Sequence, residues 1–142
     1  MTTRDFIART YNTTSTRERR CSSVFTDTDG NVYSYGYHYP LAFRVGGLDF
    51  INVRGYSNTT SKHIAWAWQA VGYDAIPVEL SRDDRVQYLD LNTLVSRLHE
   101  QLGKILDQMV SKKRKDTQVY RALQHEHEQV YNYIKQVEEA RA

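Results

Sequence analysis

Asn31–Ala67, NVYSYGYHYPLAFRVGGLDFINVRGYSNTTSKHIAWA, is the stretch whose reading decides the fold of this chain. Gly46-Gly47 separates two alternating segments, and a two-residue hairpin loop there needs positive φ, which glycine adopts without steric cost. Counting outward from the loop pairs Val45 with Leu48, Arg44 with Asp49, Phe43 with Phe50, Ala42 with Ile51 and Leu41 with Asn52. Opposite charges then meet at 44/49 and aromatic rings at 43/50, both favourable cross-strand combinations. Alternation puts Leu41, Phe43, Val45, Leu48 and Phe50 on one face, the expected core side. A slip of one residue would undo every one of these matches.

Beyond the second strand, Asn58-Thr59-Thr60-Ser61 is a cluster of helix N-cap types. A short helix is expected over 60–71, with Ile64, Trp68 and Val71 as its apolar stripe and Gly72 as its stop. Trp66 points away from that stripe.

Two motif halves frame the hairpin: Ser34-Tyr35-Gly36-Tyr37-His38-Tyr39-Pro40, then Arg54-Gly55-Tyr56-Ser57-Asn58-Thr59-Thr60-Ser61-Lys62-His63. In this the chain resembles a family of small, functionally uncharacterised bacteriophage proteins. Their shared pattern is Ser-Tyr-Gly-x-His-aromatic-Pro followed by Arg-x-Tyr-Ser-x-Thr-Thr-x-x-His. The resemblance spans about a third of the chain. It implies a phage or prophage origin and carries no established activity.

At 142 residues the chain is long enough for one structural domain with a real core. A net charge of +2 and a pI near 8.6 exclude a histone-like polycation. The lone Cys21 excludes an internal disulfide and suits a reducing compartment. No apolar run reaches membrane length and no signal peptide opens the chain, so the host cytoplasm is the expected location and no membrane is involved. Eleven tyrosines against four phenylalanines favour a wet sheet face or a binding surface.

In chain order, Phe6-Ile7-Ala8 reads as a short first strand or an arm. Arg17, Arg19 and Arg20 follow as a solvated edge or as contacts to phosphate or to an acidic partner. Asp27-Thr28-Asp29-Gly30-Asn31 is a hairpin turn between two alternating segments; it begins like a calcium loop, but His38 stands where the closing carboxylate should be. From Val32 to Tyr39 strict alternation would align Tyr33, Tyr35, Tyr37 and Tyr39 on one face. Ile76–Leu80, carrying Pro77, reads as an edge strand.

The last third is different in kind. Leu91, Val95, Leu98, Leu102, Ile105 and Met109 are spaced 4, 3, 4, 3, 4, and Tyr120, Leu123, His127, Val130, Ile134 and Val137 continue the heptad after a break. The break is Lys112-Lys113-Arg114-Lys115, a basic tip that complements the preceding helix's C-terminal dipole or meets phosphate or an acidic surface. Two antiparallel helices result, with Leu94, Leu106 and Val110 widening the first one's apolar face enough to favour a homodimer.

The expected fold class is therefore α+β: an antiparallel sheet of four to five strands with one short helix over residues 1–80, then a long antiparallel helical hairpin over 81–142. No catalytic fingerprint, metal constellation or cofactor motif stands out. His125 and His127, two apart on a helix, point in different directions and cannot share an ion. The expected function is a non-enzymatic phage accessory protein that binds and modulates or inhibits a host nucleic-acid-handling or defence complex, as an anti-CRISPR inhibitor does. Its candidate contacts are Arg17, Arg19, Arg20, Tyr35, Tyr37, Arg54, Lys62, Lys112, Lys113, Arg114 and Lys115. Direct DNA or RNA binding through the basic patches is a second reading. A third is metal-independent RNA cleavage by His38 and His63, which otherwise tie the helix to the sheet.

Overall fold

The computed structural model describes residues 1–55 and 58–142. Tyr56, Ser57 and the side chain of Asn58, which belong to the second motif half and to the expected capping cluster, lie outside the described residues. The chain divides into two compact units, Met1–Asp90 and Leu91–Ala142.

In the first unit, α1 (Thr3–Thr10) precedes β1 (Arg19–Cys21), β2 (Val24–Thr26), β3 (Val32–Ser34), β4 (Pro40–Val45) and β5 (Leu48–Asn52), and then come α2 (Asn58–Val71) and β6 (Ile76–Val78). The β4–β5 register is the one counted from the glycine loop, from Val45↔Leu48 to Ala42↔Ile51. Gly46 and Gly47 take φ of 58° and 79°. Arg44 Nη1 meets Asp49 Oδ1 at 2.7 Å, and the Phe43 and Phe50 rings stack at 5.5 Å. The exposed ion pair contributes at most about 1 kcal/mol; the buried rings dominate the pairing.

The sheet departs from expectation in size and direction. Among the described residues it has six strands in the order β1-β2-β3-β4-β5-β6, and β6 runs parallel to β5. A purely antiparallel sheet is ruled out because α2 carries the chain back over the sheet before β6 enters, and such a crossover returns a strand in the same direction. Pro77 is tolerated because β6 is an edge.

The first segment is a helix rather than a strand or arm, so the described residues of the first unit include two α-helices. Thr2 caps α1, its hydroxyl accepting from the Asp5 N–H at 3.1 Å. One face buries Phe6, Ile7 and Thr10; Thr10 Oγ1 donates to the Phe6 carbonyl at 2.8 Å and accepts from Thr26 Oγ1 at 2.7 Å. α1 and α2 pack together on one side of the sheet, around Val24, Val32, Ala42 and Ile51. Phe25, Phe43, Phe50 and Ile76, on the other face, are also buried. Both faces are thus core, whereas Val45 and Leu48, beside the loop, stay half-buried.

The tyrosine stripe does not form. The strand ends at Ser34, the β3–β4 register shifts between Val32 and Tyr33, and the chain turns before re-entering the sheet at Pro40.

The second unit is the helical hairpin: α3 (Leu91–Ser111) and α4 (Gln118–Arg141). The heptad positions Val95, Leu98, Ile105, Leu123, Val130, Ile134 and Val137 are buried, while Leu106 and Val110 are exposed. Lys115 Nζ donates to the Met109 carbonyl at 2.7 Å, closing the C-terminal end of α3, and Thr117 caps α4.

Candidate functional site

The turn from Ser34 to Tyr39 carries an unusual backbone between two buried ends. Tyr35 sits at φ +68°. Asn12 and Ser22 also have positive φ, but short polar residues tolerate that region and a bulky tyrosine does not, at a cost of about 1–2 kcal/mol. Hydrogen bonds hold it there: the Tyr35 N–H donates to the Ser23 carbonyl at 2.7 Å, Gly36 N–H to Ser34 at 2.8 Å, and Tyr39 N–H to Gly36 at 3.1 Å. The His38 ring folds over the space beside Gly36, where a Cβ would come within 2.7 Å of His38 Nδ1 and would displace that exposed side chain.

The four tyrosines consequently part company. Tyr39 is buried, its hydroxyl donating to the Arg54 carbonyl at 2.6 Å, and burial pushes its pKa up to about 12. Tyr33 stacks on Phe25 at 5.1 Å, and Tyr37 meets both rings edge-on at about 5 Å. Tyr35 and Tyr37 keep 52% and 46% of their surface exposed.

His63, on α2, is 3% exposed, and its Nδ1 lies 2.6 Å from Ser34 Oγ. The Tyr35 and Trp66 rings both neighbour it, with centroids at 5.8 and 5.7 Å. His63 thereby joins α2 to the end of β3 through the Ser34 hydroxyl. His38 stays exposed on the turn, and its carbonyl accepts from Arg54 Nη2 at 3.4 Å.

Burial lowers the pKa of His63 below the ordinary 6.5. The unfolded chain therefore binds the proton more readily, and the stability that neutral His63 contributes is complete above pH 6.5 and lost as pH falls below it. The urea midpoint should drop between pH 7.5 and 5.5, and His63→Gln should remove part of that drop. An unchanged pH dependence in the variant would refute the assignment.

The candidate cations divide into two groups. Arg19 Nη2 donates to the Thr13 carbonyl at 2.6 Å, holding the segment after α1. Arg54 donates to the Leu80 carbonyl at 3.1 Å and lies over the Tyr39 ring. Both guanidiniums therefore make internal contacts. Arg20 rests on Phe25 at 4.7 Å, and Arg17 and Lys62 are exposed. In the second unit Lys115 is engaged at the end of α3 and Arg114 is 3.7 Å from Asp116, while Lys113 is exposed and Lys112 half-buried.

A cleft of about 520 Å³ adjoins the aromatic cluster, walled by Glu18, Asp27, Asp29, Tyr33, Tyr37 and Arg85 among others. Sequence reading missed it, because its walls come from segments far apart in the chain. Asp27 is the turn's organiser, its Oδ1 accepting from the Asp29 and Asn31 N–H groups and its Oδ2 from the Tyr33 hydroxyl. Three carboxylates against one guanidinium make this cleft unsuitable for phosphate. Among the described residues no cluster of His, Cys, Asp and Glu is arranged to hold a metal ion, and no helix is long and apolar enough to cross a membrane. In comparisons with known proteins, no family model, no curated protein and no solved structure matches the chain.

Proposed function

We propose that the protein is a non-enzymatic phage accessory protein that attaches to a host nucleic-acid-handling or defence complex and modulates or inhibits it. The reading is carried by the tyrosine turn: two half-exposed tyrosines displayed on a strained backbone that hydrogen bonds lock in place. Such strain persists where surrounding structure enforces it, and it clusters at sites of function. Rigid aromatic side chains with little entropy to lose are the typical anchors of protein interfaces.

Two further observations favour protein-directed binding over the alternatives. His63 is buried and already paired with Ser34, which disfavours it as a general base for RNA cleavage. Arg19, Arg54 and Lys115 spend their donors on backbone carbonyls, which weakens the case for a purely electrostatic grip on nucleic acid.

Affinity capture from bacterial lysate, with and without nuclease, tests this. A protein partner should survive nuclease and moderate salt, be lost with Tyr37→Ser, and persist when Lys112, Lys113 and Arg114 are neutralised. Capture abolished by nuclease and by the charge changes would instead establish direct nucleic-acid binding through the basic tip.

A further inference from the structure

We infer that Tyr35, backed by His63 and Trp66, is a stacking platform for an unpaired nucleobase, with Lys62 placed for the adjoining phosphate. This rests on the reading of the tyrosine turn as the binding surface and names what its Tyr35 half receives. Three rings follow one another in series, Tyr35 to His63 at 5.8 Å and His63 to Trp66 at 5.7 Å, each step tilted by 35°. The first has 52% of its surface open, and the middle one is oriented by Ser34 Oγ.

The backbone is the second observation. A tyrosine occupies a left-handed position where glycine would fit without strain, and its N–H is tied to Ser23 at 2.7 Å. The ring is thus kept at a cost in stability, which points to the ring as the functional group.

A cation beside the ring array suits a nucleic-acid strand at Tyr35, as distinct from the acidic cleft next to Tyr37. Lys62 is exposed on α2, one residue before His63 and one helical turn before Trp66, so it flanks the same array. Every nucleobase offers a π-face, and stacking on one aromatic side chain is worth roughly 5- to 150-fold in affinity. With one ring and one flexible cation, binding to a free strand is weak. It becomes useful when a protein contact through Tyr37 supplies effective concentration.

The test is fluorescence anisotropy of a labelled oligothymidylate of about 12 nucleotides, against a duplex of equal length, at low salt. The single strand should bind better than the duplex. Tyr35→Phe should keep that affinity, because the ring and not the hydroxyl is used. Tyr35→Gly relieves the left-handed strain, so the fold should not lose stability; it should nevertheless weaken binding about tenfold or more. Lys62→Ala should weaken it a few-fold and flatten the salt dependence by about 0.7 per decade.

Tyr35→Gly binding like the parent chain, or the duplex binding as well as the strand, would overturn the inference. So would nuclease-resistant lysate capture that depends on Tyr35 with no strand binding, which places the ring on protein and leaves the proposed function standing. Strand binding with no captured partner would do the reverse.

Discussion

Replacing Gly30 with alanine is expected to destabilise the first unit by about 2–4 kcal/mol. Gly30 lies at φ +93°, and a Cβ there would stand 2.4 Å from the Thr13 nitrogen and 2.8 Å from Asn12 Cα. Those are backbone atoms, which cannot swing aside as a flexible side chain can. The Asn12 N–H also donates to the Gly30 carbonyl at 2.8 Å, so the clash falls on the contact joining the exit of α1 to the β2–β3 turn. Gly47 is the control: its φ is +79°, but nothing lies within 4 Å of its Cβ position. Gly47→Ala should cost only the left-handed strain, about 1 kcal/mol. Urea unfolding of the two variants decides the matter; equal losses would show that the close approach at Gly30 carries no weight.

Ile105→Asp should cost still more, about 3–5 kcal/mol, and should melt the helical hairpin. Ile105 is 6% exposed at a heptad position in the middle of α3, so a carboxylate there would be buried among the seam's apolar side chains. Its neighbour Leu106 is 48% exposed, and Leu106→Asp should change stability by no more than about 0.5 kcal/mol. Far-UV circular dichroism during urea titration reads both. Similar losses at the two positions would mean that the seam is not where the heptads put it.

These positions differ in how far they could be read in advance. The seam needed only the spacing of apolar residues along the chain, because a helix turns local periodicity into a face. The Gly46-Gly47 hairpin was equally legible: its register depends on two glycines and the pleat, and Arg44–Asp49 and Phe43–Phe50 met as counted. The site was readable only in part. Tyr35, Tyr37 and His63 stand out by residue type, but the alternation of the four tyrosines from Tyr33 to Tyr39 suggested a continuous strand. The Ser34–His63 contact that shapes the turn joins residues 29 positions apart.

By itself, then, the sequence determined what short-range spacing determines: the β4–β5 register, the β2–β3 turn, the stop of α2 and the two heptad helices; α2 itself begins at Asn58, so Thr59, Thr60 and Ser61, expected at its cap, lie within it. Tertiary structure alone decided the helical state of α1, the parallel entry of β6, the strain at Tyr35, and the inward commitment of Arg19 and Arg54. In most of these the deciding partner is distant in the chain: α2 and the sheet for α1, β5 for β6, Ser23 for the Tyr35 backbone and the Leu80 carbonyl for Arg54, while Arg19 bonds the Thr13 carbonyl six residues before it. A residue's intrinsic preference differs between conformations by only about 1 kcal/mol, and burial or a buried hydrogen bond outweighs it once such a partner arrives.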